Sequence, residues 1–184
     1  MVVDDHELVQ WCLSRGADPN ISSASGKSAM GRAADYASLK TLKFLFDEAG
    51  ALAQKGALVA DASLSHIDGS PGRLEVVRFL VDQGAPVDGF YMDARPESDY
   101  SCEWMVLGGQ NALHFTVWGG KKDLVELLLD KGADKTIPAC SIVKTDGQLL
   151  FAVDLAKEYG HEDIARLLET QEAIFCTIRY SMSG

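Results

Sequence analysis

A pattern of apolar and polar positions recurs along most of the chain and ends each time at a glycine. Its clearest example is segment 122–132, KDLVELLLDKG, in which leucine and valine recur at steps of three and four. Residues at these steps lie on one face of an α-helix, so the pattern predicts a helix with a single apolar stripe. Gly132 is predicted to end that helix, because glycine enters the left-handed conformation without strain.

A shorter apolar segment precedes this helix and predicts a second helix beside it. Asn111 can cap its start, since the side-chain oxygen can accept a hydrogen bond from an unpaired backbone N–H of the first turn. Residues 112–118 then form a short apolar helix that ends at Gly119 and Gly120. Two helices this short cannot bury their apolar faces against each other alone. Neighbouring pairs of helices are therefore expected.

The longer helix of this pair has counterparts elsewhere in the chain. Apolar stripes that lead to a glycine, or that open from one, occupy residues 6–13, 39–46, 74–80 and 160–168. In 6–18 the stop repeats as Gly-Ala-Asp, as it does at 132–134. The first helix of that N-terminal unit is missing, so the segment is either an abbreviated cap or one end of a longer array. An uncovered apolar end of a stack needs such a cap.

The best-formed unit resembles an ankyrin repeat, whose signature begins T-P-L-H-x-A and whose period is about 33 residues. The resemblance rests on N-A-L-H at 111–114, the Gly120-Lys121 pair, the V-E-L-L-L run and G-A-D at 132–134. It implies an all-α ankyrin-repeat solenoid of helix-turn-helix units with β-turn fingers. About four full repeats and a partial N-terminal repeat are expected.

The resemblance implies that residues 1–184 form a single ankyrin-repeat domain. This domain is divided into repeats, with long fingers between some of them. The first helix of the third unit has two placements. Residues 57–64 are preferred, and the alternative aligns His66 with the signature histidine. The expected segments are a partial repeat at 1–20, repeats at about 26–51, 55–86, 109–134 and 150–169, a long finger at 86–110, a shorter inserted finger at 135–148, and a C-terminal cap or tail at 170–184.

The charge balance restricts the class of partner. The chain has 27 acidic and 17 basic residues and a formal net charge of −10. Nucleic acids and anionic membranes attract cationic surfaces, so neither is expected as a partner. A protein partner, in particular a basic or amphipathic segment, fits this charge, and a small neutral ligand is not excluded.

The cysteines and the N-terminus indicate an intracellular, cytoplasmic or nuclear protein. Cys12, Cys102, Cys140 and Cys176 lack the close spacing of a zinc site, so no metal and no cofactor is expected. With a core of this size, the cysteines are more typical of reduced thiols. The first residues, MVVDDHELVQ, are acidic where a signal peptide needs a basic segment followed by an apolar run.

The long finger at 86–110 is the first candidate binding surface. Loops of this length are uncommon in compact domains unless they are functional or disordered. This one mixes aromatic rings, which supply buried area, with carboxylates, which pair with lysine or arginine. An irregular finger that folds back on the stack is an equally good interpretation. The partner-binding candidates in it are Phe90, Tyr91, Asp93, Asp99, Tyr100 and Trp104.

The resemblance implies a second surface, because the ends of the first helices of ankyrin repeats line a concave binding face. The matching positions carry a row of three aromatic residues, Tyr36, Trp118 and Tyr159, two of which follow an acid. Those acids are Asp35 and Glu158. These five residues complete the predicted partner-binding set.

A non-catalytic protein–protein interaction module, or scaffold, is the leading hypothesis, because no catalytic motif is found. One alternative is a small-molecule-binding or enzymatic ankyrin scaffold that uses the finger carboxylates and His114 beside an aromatic pocket. A second is a purely structural part of a longer repeat array. The resemblance favours a structural His114, which hydrogen-bonds within and between the loops.

Overall fold

Helices make up nearly all the regular structure in the described part of the chain. The computed structural model describes residues 6–21, 28–52, 58–64, 72–90, 110–140 and 149–170. Within these ranges a short antiparallel strand pair joins Ala139–Cys140 (β1) to Leu149–Leu150 (β2). The predicted all-α class is confirmed. The helices are α1 (His6–Ser14), α2 (Ala29–Tyr36), α3 (Leu39–Asp47), α4 (Leu58–Leu64), α5 (Gly72–Asp82), α6 (Ala112–Trp118), α7 (Lys122–Asp130), α8 (Ala152–Glu158) and α9 (162–170).

The helices stack in two rows. The inner row consists of α2, α4, α6 and α8, each packed against the next in that order. The outer row runs from α3 through α5 to α7, and each of these packs against the inner helix that precedes it. Because the pairs bury their faces against neighbouring pairs, the stack forms one continuous core.

The residue types of the inner row allow its helices to approach closely. Ala33, Ala34, Ala60, Ala62 and Ala156 are at most 2% exposed. An alanine face brings two backbones together with little side-chain volume between them. The outer row fills the remaining space with larger side chains, and α7 alone buries Leu124, Val125, Leu127, Leu128 and Leu129. The stripe read in the sequence is thus the buried face of α7.

Side-chain caps begin the best-formed helices. Ser28 Oγ accepts a hydrogen bond from Gly31 N at 3.0 Å at the start of α2. Asn111 Oδ1 accepts from His114 N at 3.2 Å at the start of α6, as predicted. Each such bond satisfies a backbone donor that has no partner inside its helix, and a cap of this kind contributes about 1 kcal/mol.

Two features of the structure require glycine at position 120, between α6 and α7. Gly120 joins α6 to α7 with φ +64°, a left-handed conformation that L side chains rarely adopt. A Cβ atom at this position would also lie 2.7 Å from Cε1 of His161. Both the backbone conformation and the close approach of the next unit therefore select glycine.

Two sequence-based placements can be compared with the structure. Helix α4 occupies Leu58–Leu64, which is the first of the two placements for the third unit, and His66 lies outside the described residues. The strand pair flanks residues 141–148, which belong to the predicted shorter finger and also lie outside the described residues.

Candidate functional site

An aromatic pair lies where the C-terminal ends of two inner helices meet. Trp118 is the last residue of α6, and Tyr159 directly follows α8. Their ring centroids are 6.4 Å apart at an interplanar angle of 71°. This edge-to-face contact is one of the arrangements that aromatic rings prefer. Trp118 is half-buried and Tyr159 is 44% exposed, so the pair presents apolar surface to solvent.

A hydrogen bond from the side chain of His161 to the backbone of Trp118 holds the end of α6 in place. The Nε2 atom of His161 lies 3.3 Å from the carbonyl oxygen of Trp118, the last residue of its helix. The carbonyls at a helix C-terminus have no partner inside the helix, so a donor from the next unit satisfies one of them. His161 therefore joins the α8 unit to the end of α6.

The same arrangement occurs at the two preceding junctions of the inner row. The Nζ atom of Lys121 donates to the carbonyl oxygen of Ser63, in the last turn of α4, at 2.9 Å. The guanidinium of Arg73, only 8% exposed, donates to Ala34, Asp35 and Ala37 at the end of α2. We call Arg73, Lys121 and His161 the junction donors. Each hydrogen-bonds to the end of the preceding inner helix, and two of these helix ends carry predicted site residues: α2 carries Asp35 and Tyr36, and α6 carries Trp118.

The two members of the first predicted pair, Asp35 and Tyr36, differ in burial. Asp35 is 4% exposed, and its carboxylate lies 4.0 Å from Nη1 of Arg32. Tyr36, the last residue of α2, is half-buried. The acid at this position is buried, and only the ring keeps partial exposure to solvent. The sequence pattern could not distinguish the two, because they are adjacent residues of one helix end.

The second acid–aromatic pair is fully at the surface. Glu158 and Tyr159 are both exposed at the end of α8. An exposed carboxylate beside an aromatic face is suited to a cationic side chain, because the carboxylate supplies charge and the ring supplies a cation–π contact. The structure brings Trp118 and Tyr159 into contact, and the exposed Glu158 is the sequence neighbour of Tyr159. Tyr36 lies farther along the inner row, beyond α4.

The long finger contributes one described residue to the predicted set. Phe90 is 44% exposed at the end of the described segment that follows α5. The other finger residues lie outside the described residues and remain predictions. They are Tyr91, Asp93, Asp99, Tyr100 and Trp104.

Asp88, which the sequence analysis did not select, links the bases of two fingers. Its carboxylate accepts hydrogen bonds from Asp134 N at 3.1 and 3.2 Å and lies 3.5 Å from Nδ2 of Asn111. Partial burial raises the pKa of Asp88 above its usual value. The signal available in the sequence was its place shortly after the Gly84-Ala85 stop, which matches the finger positions of other units.

His114 has a structural role, as predicted. Its Nδ1 atom accepts a hydrogen bond from Asn111 N at 3.1 Å, and its Nε2 atom lies 3.0 Å from the carbonyl oxygen of Ile137. The first contact requires a lone pair and the second a proton, so the ring is the neutral Nε2–H tautomer. Burial lowers the pKa of His114 to about 4. Both nitrogens are thus engaged by the backbone and connect α6 to the following finger.

Two further kinds of feature, metal-ligand clusters and membrane-spanning helices, are absent from the described residues. Within the six described ranges, no group of three or more histidine, cysteine or acidic residues is placed to hold a metal ion. Among the same residues, no helix is both long enough and apolar enough to cross a membrane.

Comparison with known proteins agrees with this fold. Residues 108–139 match the ankyrin repeat family, which confirms the resemblance noted in that segment. A probable E3 ubiquitin-protein ligase from Oryza sativa subsp. japonica is 31% identical to the chain over 106 residues. The alignment covers 58% of this chain and 17% of the rice protein, so the chain spans less than a fifth of that relative. Ankyrin repeats are generally protein-interaction modules and are typically non-catalytic.

Proposed function

We propose that this chain, an ankyrin-repeat protein by its fold and by its match over residues 108–139, binds a segment of a partner protein along the ends of its inner helices. The observation that carries the proposal is the contact between Trp118 and Tyr159, 6.4 Å apart and open to solvent. Aromatic residues dominate the energetics of protein interfaces because they bury a large area at low entropic cost. We call this pair the aromatic anchor.

The charge around the anchor favours a basic or amphipathic segment as the partner. Glu158 is exposed next to Tyr159, and the whole chain carries a formal net charge of −10. A lysine or arginine of the partner could contact the exposed tyrosine ring, and the neighbouring carboxylate adds favourable charge. Complementary charge of this kind speeds association and aligns the partner.

The structure around the anchor supports recognition more than turnover. The anchor rests on rigid elements, because His161 fixes the end of α6 and the buried His114 fixes its start. A binding surface held in advance loses less entropy on association. We therefore infer a non-catalytic interaction module, and its composition suits an intracellular setting, cytoplasmic or nuclear. The rice relative is a probable ligase, but the matched part is 17% of it, so we infer binding and not ligation.

Alanine substitution of the anchor tests this function. Peptides that bind the full chain are selected from a random library, and their affinities are measured by isothermal titration calorimetry. The Trp118→Ala and Tyr159→Ala variants are expected to weaken binding by about 2 kcal/mol each, or roughly 30-fold in Kd, as interface anchors do. Selected peptides are expected to be enriched in lysine and arginine.

A matched control comes from α1, which is not part of the inner row. Trp11 is 54% exposed on α1, which lies outside the inner row, so Trp11→Ala removes an exposed indole without touching the anchor. Binding by this variant should equal that of the wild type. Peptide binding that survives both anchor substitutions, in chains that remain folded by circular dichroism, would refute the proposed site.

A further inference from the structure

The two rings of the aromatic anchor are roughly perpendicular, and both keep exposure to solvent. The planes of Trp118 and Tyr159 meet at 71°, and the ring centroids are 6.4 Å apart. A cation is attracted to an aromatic face when it lies within about 6 Å of the ring centroid. At the separation of this pair, positions between the two planes lie within that distance of both centroids. One cationic group can therefore contact both rings at once.

The three lysines nearest the anchor in sequence are bound to oxygen atoms of the chain itself. The Nζ atom of Lys121 donates to the carbonyl oxygen of Ser63 at 2.9 Å, and that of Lys157 lies 2.7 Å from Oε1 of Glu169. The Nζ atom of Lys122 lies 3.8 and 3.9 Å from two carboxylates. Each of these ammonium groups is thus held by a group outside the anchor.

Two exposed carboxylates lie close to the second ring in sequence. Glu158 precedes Tyr159, and Glu162 follows it by three residues. His161 lies between them, and its Nε2 atom is engaged with the carbonyl oxygen of Trp118. Exposed carboxylates attract a cation over several ångströms and need no fixed contact to do so. The charge around the anchor therefore favours a positively charged group.

The hydrogen-bonding capacity of the anchor distinguishes among cations. An unmodified lysine ammonium has three N–H donors and is strongly hydrated. Apart from the hydroxyl of Tyr159, the rings offer faces rather than lone pairs, and the carbonyl oxygen of Trp118 is already engaged by His161 at 3.3 Å. A methylated ammonium keeps its charge, has fewer donors to satisfy and presents more apolar surface. Aromatic residues are suited to such groups, because the attraction of the ring for a cation needs no hydrogen bond.

We propose that the aromatic anchor binds a methylated lysine of the partner segment, with the methylammonium group against the rings of Trp118 and Tyr159. The inference rests on the proposed function, since it names the side chain that occupies the same surface. Lysine suits the site because its ammonium lies at the end of a flexible four-carbon stem and is a target of methylation. Methylation of the partner then controls how tightly the chain binds it.

A single modified amino acid tests the ligand class without any partner sequence. The probe is Nα-acetyl-Nε-trimethyl-lysine amide, titrated into the ¹⁵N-labelled full chain while the indole N–H signal of Trp118 is followed by NMR. Saturable shifts are expected at about millimolar concentration, since one side chain makes few contacts. Two analogues should have dissociation constants at least about tenfold higher. These are the unmodified lysine derivative and a neutral derivative in which carbon replaces the charged nitrogen. Equal binding of either analogue would overturn the proposal.

Trp11 provides an internal control, because its ring already has a cation of its own. The guanidinium carbon of Arg15 lies 5.0 Å from the centroid of the Trp11 ring. The indole N–H signal of Trp11 should therefore not saturate at concentrations that saturate Trp118. Saturation of both tryptophans with the same constant would indicate nonspecific contact with aromatic rings and overturn the proposal.

Two substitutions of Tyr159 test the role of its ring. Tyr159→Phe keeps the aromatic face and Tyr159→Ala removes it, and the exposure of this side chain allows the chain to fold in both variants. Tyr159→Phe should bind the trimethyl-lysine derivative at least about tenfold more tightly than Tyr159→Ala. Equal affinities of the two variants, with both chains folded by circular dichroism, would contradict a cation held by the ring.

The peptides selected from the random library separate this inference from the proposed function. Each lysine of a selected peptide is replaced in turn by dimethyl-lysine or trimethyl-lysine, and affinities are measured by isothermal titration calorimetry. One replacement should raise the affinity at least about tenfold, and Trp118→Ala should remove that gain. Peptides that require Trp118 but bind equally well with and without methylation would overturn this inference and leave the proposed function intact. Peptides that bind independently of Trp118 would overturn both.

Two other cations give distinct results in the same NMR experiment. An acetyl-arginine amide that binds more tightly than the trimethyl-lysine derivative would assign the anchor to guanidinium groups. Choline that binds more tightly would assign the anchor to a small molecule or a lipid headgroup. Either result would overturn the assignment to methylated lysine.

Discussion

Substitution of Gly120 by alanine tests how the junction donors hold the inner row. The substitution forces an L residue to adopt φ +64° and places a Cβ atom 2.7 Å from the ring of His161. Because real Cβ atoms do not approach so closely, the imidazole must rotate away. It then loses its hydrogen bond to the carbonyl oxygen of Trp118, 3.3 Å away.

The expected decrease in the free energy of unfolding of Gly120→Ala is the sum of two costs. The left-handed conformation costs an L residue about 1 kcal/mol relative to glycine. Loss of a hydrogen bond to a helix-end carbonyl costs about another 1 kcal/mol, with some loss of packing around the ring. Gly120→Ala should therefore lower the free energy of unfolding by about 2 to 3 kcal/mol.

Gly132 provides the matched control, because only the first cost applies there. Its φ is +87°, and a Cβ atom at Gly132 would meet nothing within 4 Å. Gly132→Ala should therefore cost about 1 kcal/mol. Both values are measured by urea unfolding followed by circular dichroism, and the difference between the two variants reports the contact with His161.

A double-mutant cycle isolates that contact. In a His161→Ala background the ring is absent, so Gly120→Ala should cost no more than Gly132→Ala. The reasoning is wrong if Gly120→Ala and Gly132→Ala are equally destabilising in the otherwise wild-type chain. It is also wrong if the additional cost of Gly120→Ala persists after the ring is removed.

Two further predictions concern buried groups. Since burial lowers the pKa of His114 to about 4, the unfolded chain binds more protons than the folded one between that value and 6.5, and stability should fall as pH falls through this window. The expected loss of stability is about 3 kcal/mol. It is measured by urea unfolding of wild type and His114→Asn at pH 7 and at pH 4, as the difference between the two chains. Parallel pH dependences in the two chains would contradict this prediction. Removing the buried guanidinium in Arg73→Met should cost about 2 to 3 kcal/mol, because three carbonyls at the end of α2 lose their donor. The exposed Arg78→Met on the same helix should change stability by less than about 0.5 kcal/mol, and equal effects of the two substitutions would count against the role of Arg73.

The fold was largely predictable because short stretches of the sequence determine where its helices begin, end and bury their apolar faces. The leucine and valine spacing of α7, the cap at Asn111 and the stop at Gly132 depend on residues within one helix and its ends. Local signals of this kind are readable without knowledge of distant contacts. The placement of α4 had an alternative in the sequence, because His66 could also be aligned with the signature histidine.

The site was less predictable because its features join residues far apart in the chain. Arg73 reaches carbonyls of α2, and Asp88 reaches the backbone of Asp134. The sequence marks Asp88 only by its place shortly after the Gly84-Ala85 stop, and it identifies neither the partner of Asp88 nor the contact of Arg73. Asp35 shows the same limit, since an acid beside an exposed-looking tyrosine gave no sign that its carboxylate faces the interior.

The alanine faces of the inner row also have a consequence for the aromatic anchor, which none of them contacts in any hydrogen bond or ring pair described above. Alanine has one side-chain carbon and no rotamer to adjust, so the distance between adjacent inner helices is fixed by their backbones. Ala156 is fully buried in α8, so a larger residue there would find no free space and would displace α8. Tyr159 directly follows α8, so its 6.4 Å separation from Trp118 depends on a residue that need not touch a partner.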